Sequence, residues 1–288
     1  MFATRSPTPA LLAHLWRSTL LVTVTWLLSA CSQSPEHYHL VTQPSPNQDS
    51  RVQYLVLHYT QIDDASSLYE LTRPESQVSA HYLLSRDEVG GKPTLYALVP
   101  ESQRAWHAGR SHWQGAQALN TASIGIEIVN LGYDPADSQL PLSQRRWQAY
   151  TEEQIRALAE LLKTLSARYQ IKPSRILGHS DIAPGRKVDP GPRFPWQRLY
   201  EEYGIGVWPD EARVKALLSQ PTAPQPTLRE VQQMLVRYGY QLPISGELDE
   251  ATRTVLTAFQ LHFRPRLCDG LPDAESIASL QVLLESGD

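Results

Sequence analysis

The sequence contains only two cysteines, Cys31 and Cys268, among its 288 residues. This number excludes a disulfide-rich scaffold and any zinc or iron–sulfur site built from four cysteines. The formal net charge is −4 and no block of basic residues occurs, so we expect no nucleic-acid partner. The His-Glu-x-x-His motif of the common zinc peptidases is also absent.

Hydrophobic residues make up 41% of the chain and charged residues 19%, which is enough for a packed core. Apolar or alternating segments predict strands, and one long periodic segment with a Thr151–Gln154 capping box predicts a helix. The strands are predicted at 52–59, 81–85, 94–99, 124–129 and 175–178, and the helix at 151–169. The expected fold is therefore α/β, a mixed sheet flanked by helices, followed by a small three-helix domain.

The first 30 residues have the pattern of a secretory leader, with two arginines before the apolar run 19–30. This run is shorter than the ~20 residues that a membrane-spanning helix needs. It ends at Leu28–Cys31 (LSAC), which resembles the lipobox of bacterial lipoproteins. The resemblance implies that Cys31 is acylated and anchors the protein in outer-membrane lipid, facing the periplasm of a Gram-negative bacterium. The alternative is an ordinary secretory peptide with a cysteine near its cleavage site.

Composition divides the chain into five segments. Polar, proline-containing stretches predict a tether and a linker, and an acylated Cys31 would leave Cys268 as a buried free thiol. The predicted segments are a lipoprotein signal peptide at 1–30, a tether at 31–50, a large mixed domain at 51–218, a proline-rich linker at 219–226 and a helical domain at 227–288.

Two histidines and an aspartate form the most informative set of polar residues. His58 ends an apolar strand, His179 follows another, and Asp189 comes ten residues later in a loop rich in proline and glycine. Two imidazoles and one carboxylate suit zinc, and three protein ligands leave the fourth position for water. The loop is long enough to return Asp189 to the side of His179.

Five motifs in order carry a resemblance to a known family. They are LVLHYT around His58, SAHY at 79–82, WHAG at 106–109, NxxSIGIE at 120–127, and GHSD at 178–181 continuing through KxDPG at 187–191. Over about residues 51–204 this series resembles the type 2 N-acetylmuramoyl-L-alanine amidases, zinc enzymes related to peptidoglycan recognition proteins. The resemblance makes 51–218 a zinc amidase catalytic domain that acts on peptidoglycan and muropeptides.

The resemblance also implies a role for each matching residue. His58, His179 and Asp189 match the ligands of one Zn²⁺ per chain, Glu127 matches the general base, and Lys187 matches the group that stabilises the oxyanion. A carboxylate on an apolar strand is costly to bury, which independently suggests that Glu127 is functional. Four further residues are expected to line the substrate groove: His81, Trp106, His107 and Arg110.

The C-terminal segment 227–288 resembles a three-helix peptidoglycan-binding domain. The similarity lies in VQxxL at 231–235, a Gly246 turn, Phe259-Gln260 and Asp269-Gly270. The segment 273–276 (DAES) departs from the Asp-x-x-Thr of that family, so a packing module is the alternative.

These observations leave several functions open, with an amidase favoured. We expect hydrolysis of the amide bond between the lactyl group of N-acetylmuramic acid and L-alanine, in cell-wall turnover or recycling, by a monomer. One alternative is a non-catalytic peptidoglycan-binding lipoprotein that tethers the outer membrane to the cell wall. A recognition module and a zinc peptidase that cuts within the stem peptide are two others.

Overall fold

The computed structural model describes residues 37–219 and 225–287. The leader 1–30 and Cys31 therefore lie outside the described residues. Chain contacts divide the protein into two units at Gln48 and Asp49. Residues 37–48 are exposed and form no helix or strand. No helix within the described residues is long and apolar enough to cross a membrane.

The second unit contains a five-stranded mixed sheet in the order β3-β2-β6-β1-β7. Strand β1 pairs in parallel with β6 and β7, β2 pairs in parallel with β6, and β2 and β3 are antiparallel. The sheet strands are β1 Tyr54–Tyr59, β2 Tyr82–Val89, β3 Lys92–Ala97, β6 Ser123–Ile128 and β7 Ile176–Gly178, and a separate hairpin consists of β4 His112–Trp113 and β5 Ala116–Gln117. The predicted α/β fold with a helical C-terminal region is confirmed.

Eight α-helices are found in the described residues. They are α1 Asp64–Thr72, α2 Glu152–Tyr169, α3 His179–Ile182, α4 Trp196–Tyr203, α5 Glu211–Leu218, α6 Leu228–Tyr238, α7 Glu250–Phe263 and α8 Ala274–Ser286. The predicted capping box of Thr151 and Gln154 is present at the start of α2. Helices α1, α3, α4 and α5 and the β4–β5 hairpin were not predicted.

Strand β1 is buried along its whole length because both faces of the sheet are covered. Side chains of a strand point alternately to opposite faces. Leu55 and Leu57 pack in the core that includes α2, whereas Tyr54 and Val56 belong to the core that includes α6, α7 and α8. The C-terminal helices therefore share a hydrophobic core with the sheet.

A buried polar cluster reinforces this contact between the sheet domain and the C-terminal helices. The carboxyl of Asp181 on α3 accepts hydrogen bonds from the Tyr240 hydroxyl at 2.9 Å and from the Gly178 amide at 2.8 Å. It also lies 2.8 Å from Nδ1 of His262, whose ring stacks on Trp196. Asp181 follows His179 by two residues, so the C-terminal helices hold the short helix that begins at His179.

Cys268 lies in the loop after α7 and is buried, as predicted. Burial raises the pKa of its thiol to about 11. The thiol is therefore protonated and unreactive at neutral pH.

We predict that Tyr240→Phe destabilises the protein. The substitution leaves a buried carboxylate oxygen of Asp181 without its hydroxyl donor, which costs roughly 1–3 kcal/mol. Urea unfolding at neutral pH measures the change, with Tyr200→Phe, on the surface of α4, as the control. Equal stability of the two variants would show that the Asp181 contact contributes nothing.

Candidate metal and active site

Three neighbouring parallel strands deliver the polar residues to one place. His58 on β1 lies opposite Glu127 on β6, and Leu57 lies opposite Gly178, the last residue of β7. His179 follows Gly178 directly. In open sheets with parallel strands, ligands bind at the carboxyl ends of the strands, which is where these side chains meet.

Successive residues of β6 face alternately the hydrophobic core and the candidate site. Ile124, Ile126 and Ile128 lie in the core that includes α2. The intervening residues, Ser123, Gly125 and Glu127, lie on the opposite face, beside the site. The hydrophobic face fixes the register of β6, because a slip of one residue would turn Glu127 into the core.

The loop after α3 returns Asp189 to the strand ends, as the sequence predicted. The Ser180 amide donates to the Asp189 carbonyl at 2.9 Å, and the Tyr150 hydroxyl donates to the Pro190 carbonyl at 2.8 Å. These bonds hold the backbone at the carbonyls of Asp189 and Pro190, directly beside the Asp189 side chain.

His58, His179 and Asp189 form a compact set of metal-ligand atoms. The Nδ1 atoms of His58 and His179 are 2.8 Å apart, and Oδ2 of Asp189 lies 3.1 Å from the first and 3.0 Å from the second. All three residues are buried. Two imidazole nitrogens and one carboxylate oxygen that converge in this way fit a zinc ion with one coordination position left for water.

The electrostatics of the three residues favours a cation. Burial and the proximity of His179 lower the pKa of His58 to about 4, so its ring is neutral at pH 7 and can act as a ligand. Burial alone raises the pKa of Asp189, but His179 and His58 outweigh it and hold that pKa below its usual value. The carboxylate therefore carries the negative charge that a divalent cation needs.

Glu127 and Lys187 line the same cavity, which has a volume of about 180 Å³. Burial and the charge of Asp189 raise the pKa of Glu127 well above its usual value, and the Lys187 ammonium opposes this shift. Oε2 of Glu127 is buried and has no hydrogen-bond partner. A buried carboxylate oxygen without a partner is costly to the fold and is available to a reacting molecule.

Of the four residues that were expected to line the substrate groove, two line the cavity and two do not. Trp106 is about half exposed and His107 is buried, and both line the cavity. His81 does not line it: its Nδ1 accepts from the Gly125 amide and its Nε2 lies 3.1 Å from the Gln103 carbonyl, so backbone groups engage both ring nitrogens. Arg110 is exposed and is not among the lining residues. The structure therefore gives no support to substrate contacts by His81 and Arg110.

Several lining residues were not predicted as site residues. They come from the end of β1, from α1 and from the segment that follows it: Tyr59, Thr60, Ile62, Ser67, Glu70, Leu71, Val78 and Ser79. Helix α1 contains no recognisable motif, and its position beside the cavity depends on the tertiary fold.

Comparison with known proteins agrees with this geometry. The family model of N-acetylmuramoyl-L-alanine amidases matches residues 48–192, and that of a putative peptidoglycan binding domain matches residues 224–280. The chain is 42% identical to the N-acetylmuramoyl-L-alanine amidase AmiD of Escherichia coli, over 92% of this chain and 96% of AmiD.

Two solved structures extend the comparison to the fold. A complex of Escherichia coli AmiD with the substrate anhydro-N-acetylmuramic acid-L-Ala-D-gamma-Glu-L-Lys has a TM-score of 0.78, and the match covers 88% of this chain and 97% of AmiD. AmpDh3 from Pseudomonas aeruginosa in complex with anhydromuramic pentapeptide is 38% identical, with a TM-score of 0.75, and the match covers 88% of this chain and 97% of AmpDh3.

We predict that Asp189→Ala removes zinc binding while the chain stays folded. Loss of one of three ligands should weaken affinity beyond the roughly 10- to 100-fold cost of losing a hydrogen-bond partner of a ligand. Metal analysis after dialysis against zinc, together with circular dichroism, measures both properties. Asp210→Ala, a change at the exposed N-cap of α5, is the control and should retain one zinc ion per chain. Full zinc content in Asp189→Ala would exclude this residue as a ligand.

Proposed function

The chain belongs to the N-acetylmuramoyl-L-alanine amidase family, and from this premise we propose that it hydrolyses the amide bond between the lactyl group of N-acetylmuramic acid and L-alanine in peptidoglycan stem peptides. One observation carries the proposal. Three buried ligand atoms lie within 3.1 Å of one another, and Glu127, whose Oε2 is buried without a hydrogen-bond partner, lines the same cavity.

His58, His179 and Asp189 would hold the zinc ion, which when bound supplies a Lewis acid and lowers the pKa of its water to about 7. Glu127 accepts a proton from the attacking water as the new carbon–oxygen bond forms. The same carboxyl then returns the proton to the nitrogen of L-alanine as the carbon–nitrogen bond breaks. The raised pKa makes Glu127 a stronger base than an exposed glutamate, which suits a group that takes up and then releases a proton.

Lys187 contributes a positive charge at the same cavity. The tetrahedral intermediate bears negative charge on the former carbonyl oxygen, and a nearby ammonium group stabilises that charge more strongly away from bulk water. Trp106, at the exposed rim, offers an aromatic surface on which a sugar ring or the stem peptide can pack.

The substrate range includes, in this proposal, muropeptides with an anhydro-muramic acid end. Both solved relatives were captured with anhydro-muramyl peptides, and the present chain aligns with most of each relative. The match of residues 224–280 to a peptidoglycan-binding model supports a second contact with the cell wall. Such an enzyme would serve in cell-wall turnover or recycling.

We predict that Glu127→Gln retains zinc and loses most activity. A general base contributes roughly 100- to 10,000-fold to the rate, and glutamine keeps the shape of glutamate without its basicity. The full chain in detergent is incubated with purified anhydro-muropeptides and intact muropeptides, with and without a chelator, and the products are identified by mass spectrometry. Free stem peptides that begin at L-alanine are expected from the wild type, are lost with chelator and return with zinc.

Unchanged muropeptides after incubation with the folded, zinc-loaded wild type would overturn the amidase proposal and favour a tether between outer membrane and cell wall. Wild-type activity in Glu127→Gln would instead remove only this residue from the mechanism. Glu160→Gln, the same substitution at an exposed position of α2 outside the cavity lining, is the control and should keep wild-type activity.

We also propose that the chain is an outer-membrane lipoprotein that faces the periplasm, anchored through acylated Cys31. The support is the sequence LSAC at 28–31 with the apolar run before it. Replacement of Cys31 by serine should shift the protein from the membrane fraction to the soluble periplasmic fraction, since the acyl chains supply the membrane affinity. Incorporation of labelled palmitate into the wild type but not into Cys31→Ser checks the modification. Equal membrane association of the two forms would refute it.

A further inference from the structure

We infer that His107 and Ser123 are positioning residues that hold the His58 ring with the Nδ1 lone pair facing the metal site. This inference rests on the zinc site proposed above. The sequence suggested a place for His107 in the substrate groove, but its ring nitrogens contact protein groups on both sides. Its Nδ1 lies 2.9 Å from Nε2 of His58, and its Nε2 lies 3.0 Å from the Ser123 hydroxyl.

His58, His107, Ser123 and the Leu119 carbonyl form a continuous series of hydrogen bonds. The direction of each bond follows from the carbonyl at its end. The Ser123 hydroxyl donates to the Leu119 carbonyl, which can only accept, at 2.6 Å. Its single hydrogen is thereby used, so its oxygen accepts a hydrogen bond from His107 Nε2. A neutral His107 then has no hydrogen on Nδ1, and this nitrogen accepts from Nε2–H of His58.

The consequence for His58 is a fixed tautomer. With its hydrogen on Nε2, the ring presents an unprotonated Nδ1 to Asp189 and His179, as a metal ligand requires. The next residue does the same for the second histidine: Nε2 of His179 lies 3.2 Å from the Ala108 carbonyl, which can only accept. Nη2 of Arg186 is also 3.3 Å from this nitrogen, but it donates its two hydrogens to the carbonyls of Ala108 and Arg110. Two consecutive residues of the WHAG segment therefore orient both imidazole ligands.

The surrounding fold keeps His107 in this position. Oδ1 of Asn120 accepts hydrogen bonds from the amides of His107 and Ala108, at 3.1 and 2.8 Å. A Cβ atom on Gly125 would collide with the His107 ring, so strand β6 needs glycine at this position. The NxxSIGIE motif thus provides a backbone clamp, the serine acceptor and the space for the ring before it reaches Glu127.

The experiment compares two substitutions of similar size at position 107. His107→Asn keeps an acceptor close to the place of Nδ1, whereas His107→Leu has none. Zinc affinity of the full chain is measured by competition with a chromophoric chelator. We expect His107→Leu to lose about 10- to 100-fold in affinity and His107→Asn to recover most of that loss. Both variants lose the bond to Ser123, so the unfolding midpoint of each without metal is measured alongside to establish that the chain is folded.

A second variant keeps the inference testable if His107→Leu does not fold. Ser123→Ala removes the acceptor that holds the hydrogen on His107 Nε2, and we expect a smaller loss of zinc affinity than in His107→Leu. Ser85→Ala is its control, because Ser85 is an equally buried serine whose hydroxyl donates to a backbone carbonyl far from the site. Its zinc affinity should equal that of the wild type.

The outcomes separate this inference from the proposed function. Wild-type zinc affinity in both His107→Leu and Ser123→Ala would overturn the positioning role while leaving the zinc site intact. Equal losses in His107→Leu and His107→Asn would also overturn it, because the acceptor would then be irrelevant. Failure of the wild type to bind zinc would instead overturn the zinc site itself.

Discussion

The parallel pairing of β1 with β6 and β7 is the constraint on which the rest of the structure depends. It sets His58 opposite Glu127 and brings Gly178 beside Leu57. His179 therefore follows directly at the end of β7 and lies near His58. Hydrophobic residues on the face toward α2 fix this register, and their burial provides most of the favourable free energy. The polar site is held in place by apolar packing on the other side of the same strands.

The local patterns of the sequence predicted much of this arrangement. Strand alternation and strand-end histidines predicted the sheet, and the loop length after His179 predicted the return of Asp189. The capping box at Thr151 predicted where the long helix begins, and the structure confirms it. These features depend on residues close in sequence, or on strand ends that any parallel sheet brings together.

The features that could not be predicted depend on distant residues. Nothing in the sequence of α1 places Glu70 and Leu71 at the cavity, and nothing near His81 shows that its ring bonds to Gly125 on a neighbouring strand. His107 is the clearest case. Its neighbours in sequence suggest a groove residue, whereas its partners, His58 and Ser123, lie 49 and 16 residues away.

Two segments that match two different family models need not fold as two independent domains, and the C-terminal helices illustrate this. Val231, Leu235 and Phe259 pack in the same core as Val56 of β1 and Leu177 of β7. The Tyr240 hydroxyl and the His262 ring reach the Asp181 carboxyl, two residues beyond a metal ligand. A buried carboxyl that loses these partners is unfavourable, so the short helix α3 and the C-terminal helices stabilise each other. A contact of these helices with the cell wall would therefore act on the same packed body that holds His179.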